Sequence, residues 1–582
     1  MERFLEAKGI SSLYDWQKEC LKLRPPITEY KNLVYSLPTS AGKSLVAEVH
    51  LMRHLLEGNS VMMVLPFVSI VQEKVSAWNE IMHYGMNCVV EEYAAGKGNI
   101  PPIKRRRDNK GCLFIATIEK AGQLVAAAIN GKGPWITCCV IDELHMLGEG
   151  IRGARLESLI SKLNYAAKQK QKICQVIGMS ATLPNLPEVA KFMKAELFES
   201  DYRPVPLTEY IKTGSYIHKI CRSLPSKTKY DRSIPVTDPI GDKDSLYQLT
   251  KEIIDLNKTL ADKKGILMFC PTRKQCENCC VLLAKKIQLF NPSVETSEID
   301  GRRKLLRKIE SELKDVGGIR KELFGSIMFG VAFHHAGLTQ IERQQIEEGF
   351  RDGFITVLCC TSTLAAGVNL PARRVIIRSI KQGKGLLDPA TYRQMAGRAG
   401  RKGFDSEGEC IVIVEPKLKN AALKLIIGDV QPALSRLDLM LEEVILSVLA
   451  LHLTLTKREL HEFLSEYTFR GIQKDKQSGE YTELIDKKLI DLESLAVVEK
   501  KEAEVDGVPI IGEIDIRVTR LGVACVESNS IPSECRILRN KLEHARKGLN
   551  LENALHLISL RIKMKTIFCS VKHNCFKLFY LS

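Results

Sequence analysis

The chain has 582 residues, of which 45% are hydrophobic and 26% are charged, and its formal net charge is +16. The apolar fraction is ordinary for globular cores, which excludes a disordered chain, and the length allows three or four domains. The positive charge favours a polyanionic partner, nucleic acid before membrane. No apolar run approaches the length of a membrane span, and the start lacks the apolar region of a secretory leader. We therefore expect a soluble protein with no membrane contact.

Short apolar runs alternate with amphipathic, helix-length segments from about residue 30 to residue 415. Unbroken apolar strands that alternate with helices are typical of a parallel sheet covered on both faces. This span is too long for one sheet domain, so we predict two α/β lobes with a break near the prolines of residues 202–206. The polar stretch 222–243 is interpreted as a linker or a surface excursion, and the charged stretch 295–325 as a helical insertion. The apolar strands are predicted at 34–37, 61–65, 113–116, 136–141, 176–179, 266–269, 356–360, 375–377 and 411–414.

The pattern changes after residue 418. Helical periodicity dominates residues 437–453, 457–467 and 480–495, and strand-like residues at 496–498 and 514–518 then flank an Asp-Gly turn. Three helices followed by a hairpin predict a winged-helix module.

A phosphate-binding loop is predicted between the first apolar strand and the helix that follows it. Small residues at a helix start point backbone N–H groups at phosphate oxygens. Lys43 can reach the β- and γ-phosphates of ATP, and the Ser44 hydroxyl can bind Mg²⁺. The strict pattern has Gly or Ala where this chain has Leu37, so the loop alone does not decide the function. The predicted loop residues are Thr39, Ser40, Ala41, Gly42, Lys43 and Ser44.

An acidic pair, Asp142 and Glu143, follows the apolar strand 136–141. Carboxylates at the carboxyl end of a parallel strand lie where α/β sheets bind ligands. There Asp142 would hold Mg²⁺, and Glu143 would accept a proton from the water that attacks the nucleotide. Alone, the pair fits a solvated acidic turn equally well. The phosphate loop upstream in the same lobe favours the catalytic interpretation.

Two further features belong to the first lobe. Ser180-Ala181-Thr182 closes the next strand, where two hydroxyls could link the nucleotide state to movement of the lobes. Gln17 lies upstream of the loop and could present its amide to the purine of ATP. Spacing alone fits a surface glutamine almost equally well.

The second lobe contains a Gly-containing turn-helix with Gln394, Arg398 and Arg401. Phosphoryl transfer gains most from a cation placed on the developing charge, and an arginine finger contributes roughly 10³–10⁵ in rate. We expect Arg398 and Arg401 to reach the nucleotide across a cleft between the lobes when the lobes close, which would gate hydrolysis by conformation. An arginine-rich surface helix is the alternative, and the glycines weaken it.

In this order the motifs resemble those of superfamily-two helicases, and longer blocks narrow the resemblance to the HELQ, or POLQ-like, helicases, with the helicase domain of DNA polymerase theta as the nearest relative. The resemblance covers roughly residues 1–560. The blocks are VVEEYAAGKG (89–98), IATIEKAGQLV (115–125), VIDELHMLGEGIRGARLE (140–157), GMSATLPNL (178–186), VAFHHAGLT (331–339) and TSTLAAGVNLPARRVIIR (361–378).

The resemblance implies an ATP- and Mg²⁺-dependent DNA helicase. Its expected properties are ATPase activity stimulated by single-stranded DNA, 3′-to-5′ unwinding, binding to single-stranded and forked DNA, and a nuclear role in repairing replication-associated damage. Protein partners in repair would fit, although the sequence does not identify them. The alternatives are an RNA helicase of the same superfamily and a nucleic-acid-binding protein that hydrolyses ATP without unwinding.

Residues matched to the family's blocks supply the predicted contacts. Hydroxyls and strand-end amides suit sequence-independent contacts to phosphates. Gly367 and Asn369 match the block that joins the grip on the strand to the nucleotide state, and residues 378–393 would hold a strand-separating hairpin. The predicted nucleic-acid contacts are Ser69, Thr117 and Lys120 in the first lobe and Thr272, Arg273, Thr361 and Thr363 in the second.

The resemblance also fixes the expected domains and fold class. The fold class is α/β, with two RecA-like parallel-sheet lobes followed by a winged helix and a truncated helical domain. In the family, the segment that matches 551–560 opens a helical domain, which the basic residues 561–582 replace here. The residues expected for ATP hydrolysis all lie before 402, outside this replaced segment. The expected domains are lobe 1 at 1–205, lobe 2 at 206–418, the winged helix at 419–525, the start of the helical domain at 526–560 and the divergent tail at 561–582.

Metal-binding interpretations of the other motifs are weaker. Cys276, Cys279 and Cys280 lack the second half of a zinc site, and His334-His335 lacks a third ligand nearby. We expect the 18 cysteines to be free thiols in a reducing compartment. The basic run 104–107 is interpreted as a solvated or phosphate-contacting loop rather than a nuclear signal.

Overall fold

The computed structural model describes residues 2–22, 30–82, 88–102, 110–181, 183–221, 223, 227–233, 243–257, 263–290, 296–313, 320–364, 370–383, 385–473, 481–505 and 508–548. The chain divides into two compact units. The first contains Met1–Ser36, Lys43–Ser200 and Pro432–Ser582, and the second contains Leu37–Gly42 and Asp201–Gln431.

The first unit is built on a seven-stranded sheet in the order β3-β4-β2-β5-β6-β1-β7. Every pairing in it is parallel. The central strands are buried along almost their whole length, as their unbroken apolar runs predict. The strands are β1 (Asn32–Ser36), β2 (Ser60–Leu65), β3 (Cys88–Tyr93), β4 (Gly111–Thr117), β5 (Ile136–Ile141), β6 (Gln175–Ser180) and β7 (Ala195–Glu199).

The helices of this unit carry apolar residues that pack against the sheet. In α6, for example, Leu156, Leu159, Ile160 and Leu163 recur at helical spacing and are buried. The helices are α1 (Glu2–Ala7), α2 (Asp15–Lys22), α3 (Lys43–Leu56), α4 (Val68–Met82), α5 (Ile118–Ile129), α6 (Gly150–Lys170) and α7 (Leu186–Met193).

The second unit has an eight-stranded sheet in the order β10-β9-β8-β17-β14-β11-β13-β12. The six strands β8, β17, β14, β11, β13 and β12 pair in parallel. Strands β9 and β10 extend the sheet beyond β8 as antiparallel strands. The strands are β8 (Leu207–Thr213), β9 (Tyr216–Ile220), β10 (Thr228–Ser233), β11 (Ile266–Phe269), β12 (Val331–His334), β13 (Val357–Cys360), β14 (Arg374–Ile377) and β17 (Gly408–Ile413).

The helices of the second unit have recognisable start signals. A capping box starts α12, because the Thr339 side chain accepts from the Glu342 backbone while the Glu342 carboxylate accepts from Thr339. The helices are α8 (Lys243–Asn257), α9 (Arg273–Phe290), α10 (Thr296–Leu313), α11 (Lys321–Ile327), α12 (Gln340–Arg351), α13 (Pro389–Ala396) and α14 (Lys419–Ile427). A small antiparallel pair, β15 (Lys381–Gln382) and β16 (Gly385–Leu386), lies where a strand-separating hairpin is predicted.

The segment from Pro432 shares its hydrophobic core with the first unit. The Tyr165 ring on α6 meets the rings of Phe463 and Tyr467 edge-on, with centroids 5.2 and 4.9 Å apart. Its elements are α15 (Leu441–Ala450), α16 (Lys457–Glu466), α17 (Phe469–Ile472), α18 (Tyr481–Ser494), the antiparallel strands β18 (Val498–Val505) and β19 (Val508–Val518), α19 (Arg520–Ser528) and α20 (Pro532–Gly548). The winged-helix assignment stays a prediction.

The predicted α/β class and the two RecA-like lobes are confirmed. Each predicted apolar strand is present, and the predicted insertion contains α10. For 222–243, the linker alternative is wrong at β10, which pairs with β9, whereas the mostly exposed residues of β10 fit the alternative of a surface excursion. None of the helices within the described ranges is long and apolar enough to cross a membrane.

Candidate nucleotide and nucleic-acid sites

The loop between β1 and α3 has the backbone that a phosphate-binding turn needs. Ser40 and Gly42 have φ values of 67° and 86°, a region that favours glycine. The Ala41 side chain is buried, and so is Leu37, which explains why a large residue is tolerated where the strict pattern has Gly or Ala. Lys43 opens α3, and the Tyr35 hydroxyl donates to its carbonyl at 2.8 Å. The helix that carries Lys43 and Ser44 is thus fixed to the sheet.

Asp142 and Glu143 directly follow β5 at the carboxyl edge of the first sheet. The Asp142 N–H donates to the Val64 carbonyl of β2 at 3.1 Å, which extends the strand pairing by one residue. Burial and the neighbouring Glu143 raise the pKa of the Asp142 carboxyl to about 6, against the lowering effect of Lys74 and Lys43. The charge of Lys43 therefore acts on Asp142, as expected if both meet the same nucleotide.

Glu143 adopts φ 53° and ψ 52°, the left-handed region that a residue with a side chain rarely occupies. Its carboxylate lies 3.2 Å from Nδ1 of His145. Burial lowers the pKa of His145, but the hydrogen bond and the charge of Glu143 outweigh this effect and the net pKa is raised. A strained backbone next to a paired carboxylate is typical of an active site.

A buried ion cluster that the sequence analysis missed lies behind the acidic pair. Glu48 on α3 is buried between Lys74 on α4, at 3.1 Å, and Lys8 after α1. Burial raises the pKa of Glu48, but the two lysines outweigh burial and hold it below its ordinary value. Glu48 is also the main reason that the pKa of Lys74 is raised, and Asp142 adds to it. The cluster therefore adds positive charge near the acidic pair.

Two other predicted first-lobe residues are buried. Gln17 is 3% exposed, and its side-chain oxygen accepts from the Tyr14 N–H at 2.9 Å, so the surface alternative is wrong. Ser180 ends β6, next to β5 in the sheet, and its buried hydroxyl has no hydrogen-bond partner among the described residues. An unsatisfied buried hydroxyl at this edge is available to a ligand or to a water molecule.

The predicted nucleic-acid residues of the first lobe lie at the same sheet edge, on neighbouring strands. Thr117 ends β4 opposite Leu65, the last residue of β2, and Ser69 lies in the first turn of α4, which follows β2. Lys120 is half-buried in the first turn of α5. Because β5 is the other neighbour of β2, one edge carries the acidic pair and these contacts side by side.

The second sheet repeats this arrangement. Thr272 and Arg273 follow β11, and Thr361 and Thr363 follow β13, its parallel neighbour. The two threonine hydroxyls after β13 lie 2.8 Å apart, and Thr272, Arg273 and Thr363 are exposed. Exposed hydroxyls at adjacent strand ends suit contacts to a phosphate backbone.

The arginine motif of the second lobe lies at the end of α13. Gln394 is half-buried on this helix, and the carbonyl of Arg398 accepts from the Ala372 N–H at 2.9 Å. The Arg401 Nε donates to Asp405 at 3.2 Å, and Lys264 binds the other oxygen of the same carboxylate at 2.7 Å. Asp405 is a positioning residue that the sequence analysis missed, although its spacing of four residues from Arg401 could have suggested it.

Some predictions fall elsewhere. Gly367, Asn369, Thr182 and the segment 551–582 lie outside the described residues. His334 and His335 each bond a carboxylate, Glu347 at 2.8 Å and Glu277 at 3.1 Å. Within the described ranges no group of three His, Cys, Asp or Glu side chains is placed to hold a metal.

Comparison with known proteins agrees with this geometry. Residues 15–189 match the family model of the DEAD/DEAH box helicases, and residues 310–403 match that of the helicase conserved C-terminal domain. The chain is 38% identical to "Helicase POLQ-like" of Homo sapiens, over 96% of this chain and 50% of that protein. The Drosophila melanogaster protein of the same name is 36% identical, over 96% of this chain and 54% of that protein.

A second group of relatives is more distant. "DNA polymerase theta" of Mus musculus is 35% identical over 95% of this chain and 22% of that protein. The chain thus spans about half the length of the POLQ-like relatives that it matches. Its two helicase domains, and its identity to these relatives over nearly its whole length, show that the chain belongs to the POLQ-like helicases of superfamily two.

Proposed function

We propose that this chain is an ATP-dependent DNA helicase whose ATPase is stimulated by single-stranded DNA and which moves along that strand from 3′ to 5′. The observation that carries the proposal is that Asp142 and Glu143 share one sheet edge with Ser69 and Thr117. A motor needs such an edge, because hydrolysis at one strand end must change the nucleic-acid contacts at the neighbouring strand ends. The relative named DNA polymerase theta supports DNA rather than RNA. The direction is what the resemblance of the sequence blocks to the family implies.

The residues of the first lobe fit a nucleoside triphosphate. The loop from Thr39 to Gly42 offers backbone N–H groups, and the Lys43 ammonium would neutralise the β- and γ-phosphates. Glu143 would accept the proton of the attacking water, and His145, whose Nδ1 lies 3.2 Å from the carboxylate, would orient it. The buried hydroxyl of Ser180 would contribute a further hydrogen bond.

Ser44 and Asp142 would hold Mg²⁺, the usual partner of ATP. The ion would supply positive charge on the phosphates as charge moves during the transfer. The hydroxyl-carboxylate donor set fits a hard cation. The neighbouring positive charges of Lys74 and Lys43 lower the pKa of Asp142 against the effect of its burial, which favours the ionised form that binds a cation.

The proposal is tested with purified protein. ATP turnover is measured without nucleic acid, with single-stranded DNA and with single-stranded RNA, for the wild type and for Lys43→Ala. We expect DNA to stimulate the wild type several-fold more than RNA, and Lys43→Ala to lose at least about 100-fold in turnover, because it removes a cation from the phosphates. Wild-type turnover in the variant would refute the nucleotide site, and equal stimulation by RNA would refute the preference for DNA.

Unwinding is tested separately with forked duplexes that carry a single-stranded tail of either polarity. We expect strand separation when the protein loads on a 3′ single-stranded tail, because 3′-to-5′ movement from that tail leads into the duplex. ATPase stimulation without strand separation would support the alternative of a nucleic-acid-binding ATPase that does not unwind. A nuclear location and a role in DNA repair follow from the same proposal, and imaging of a fluorescent fusion before and after replication stress tests them.

A further inference from the structure

A polar pocket of about 530 Å³ lies in the first unit. Neither the predicted nucleotide residues nor the predicted nucleic-acid contacts line it. We call it the basic pocket. The side chains that matter for its chemistry are Tyr30, Lys31, Lys168, Lys172, Lys194 and Tyr467.

The basic pocket lies at the amino edge of the sheet, opposite the acidic pair. Lys31 precedes β1, Lys194 precedes β7, and Lys172 lies in the turn between α6 and β6, so the lysines surround the starts of three neighbouring strands. Strands of five or six residues separate the two edges by about 17–20 Å. A ligand in this pocket therefore lies away from the nucleotide.

The lining has one sign of charge. Its four lysines are exposed, and no Asp, Glu or Arg is present among the lining residues. Lys31 and Lys168 have carboxylate neighbours outside the lining, Glu196 at 3.4 Å and Glu462 at 3.9 Å. Lys172 and Lys194 have no carboxylate partner within the described residues. The pocket thus offers uncompensated positive charge to an anion.

The aromatic side chains support the lysines rather than offering free stacking surfaces. The Lys194 ammonium lies 3.4 Å from the centroid of the Tyr467 ring, and Tyr467 is itself held edge-on by Tyr165. The Tyr30 ring has the Arg53 guanidinium 4.8 Å from its centroid and His54 at 4.6 Å. Bases would therefore find little exposed ring to stack on, which makes ammonium–anion contacts the main source of binding.

An all-lysine lining favours phosphate over carboxylate. Lysine is a compact point charge that binds phosphate oxygens from many directions, whereas planar carboxylates are more often gripped by the two-pronged guanidinium of arginine. Contacts made only to phosphates carry no sequence information. Both features suit a nucleic-acid backbone better than an acidic protein segment.

We propose that the basic pocket binds phosphate groups of a nucleic-acid strand at a second site, away from the strand-end contacts of the motor. The proposal rests on the proposed function, in that a helicase is expected to hold nucleic acid. The site would keep a distant part of the same strand, or the displaced strand, on the protein while the motor moves.

The test uses the full chain and a fluorescent single-stranded oligonucleotide, with binding followed by anisotropy at several salt concentrations. The charge-reversal pair Lys172→Glu/Lys194→Glu is compared with Lys191→Glu/Lys487→Glu, which makes the same change in net charge at exposed helical lysines outside the pocket. Each phosphate contact to a single strand makes the slope of log K against log salt more negative by about 0.7. The pocket variant removes two lysines, so we expect the magnitude of that slope to fall by about 1.4. We expect it to weaken binding about tenfold at ~0.1 M salt, and the control to change binding less than twofold.

A second measurement needs no variant. Lysine acetylation of the wild-type protein is mapped with and without the oligonucleotide, and we expect the bound strand to protect Lys172 and Lys194 but not Lys191. Equal loss of affinity in the pocket variant and the control, or no protection, would overturn the proposal. So would protection by inorganic tripolyphosphate or a polyglutamate peptide with none by the oligonucleotide, since the pocket would then take a small polyanion or an acidic segment.

The two proposals fail in different ways. Absence of DNA-stimulated ATP turnover in the wild type would contradict the proposed function. Normal DNA-stimulated turnover together with unchanged DNA affinity in the pocket variant would contradict only the second site. ATP turnover without DNA is expected to be the same in the pocket variant and the wild type.

Discussion

The two lobes place different chemistry at the same edge of similar parallel sheets. In the first, the strand ends carry Asp142, whose pKa depends on burial and on Lys74 and Lys43, and Glu143, which pairs with His145. In the second, exposed hydroxyls such as those of Thr272 and Thr363 follow the strands, and the charged group is Arg401, held by Asp405. We propose that the first lobe binds and activates a nucleotide and that the second grips a strand and supplies a cation. The predictions below separate these roles.

The largest expected effect belongs to the first lobe. Glu143→Gln keeps the shape of the side chain but removes the base that accepts the proton of water, and general-base catalysis contributes roughly 10²–10⁴ in rate. We expect turnover at saturating DNA to fall by at least about 100-fold while nucleotide binding is retained. Steady-state ATPase assays and binding of a fluorescent nucleotide measure the two quantities.

The matched control for Glu143 is Glu149→Gln, an exposed glutamate just before α6. It should keep most of the turnover. If the Glu143 variant hydrolysed ATP at more than half the wild-type rate, the first lobe would have another base and the comparison of the lobes would fail.

The next effects belong to the second lobe. We expect Arg401→Ala to reduce kcat by about 10²–10³, because an arginine on the transferred phosphoryl group contributes roughly 10³–10⁵. Asp405→Asn leaves the arginine in place but loosens its hold, so a fall of about tenfold in kcat with little change in KM is expected. A change in KM alone would show that Arg401 binds ground-state nucleotide and does not act in the transfer.

The sheets were predictable from the sequence because their strands are continuous apolar runs. The runs that became β2, β5 and β13 have no competing interpretation at their length. Two of the strands that were not predicted lack this signal. Two glutamates interrupt β3, and β10 consists of polar residues in a segment that looks like a linker. Both lie at the side of a sheet, where one neighbour is enough and burial is incomplete.

The site residues divide in the same way. Lys43, Asp142 and Glu143 could be predicted because each follows a strand in a recognisable order. Glu48 was missed because a single glutamate on a helix normally faces water, and only the fold shows that Lys74 and Lys8 meet it in the interior. Contacts between distant helices leave no local pattern in the sequence.

The smallest expected effect concerns a further difference between the lobes, namely that the first shares its core with the segment from Pro432. Glu157 on α6 is fully buried at this junction, where it accepts from the Ser435 hydroxyl at 2.7 Å and from the Arg470 N–H at 2.8 Å. Burial raises the pKa of this carboxyl from 4.5 to about 7, against the lowering effect of its hydrogen bonds. A raised pKa contributes stability that is complete below the unfolded value and is lost as the pH rises through the folded value.

The wild type should therefore lose stability relative to Glu157→Gln between pH 5 and pH 8. Glutamine cannot ionise, but its oxygen can accept from the Arg470 N–H and its amide nitrogen can donate to the Ser435 hydroxyl oxygen. The change in the free energy of unfolding is expected to be about 1–3 kcal/mol, equivalent to a few degrees in the difference between the two melting temperatures. Thermal unfolding at constant ionic strength measures it, with the exposed Glu462→Gln as the control on α16. Parallel curves for wild type and Glu157→Gln would show that the carboxylate is ionised at no cost in the folded state. The junction would then be held by its aromatic contacts, such as those of Tyr165 with Phe463 and Tyr467, rather than by the protonation state of Glu157.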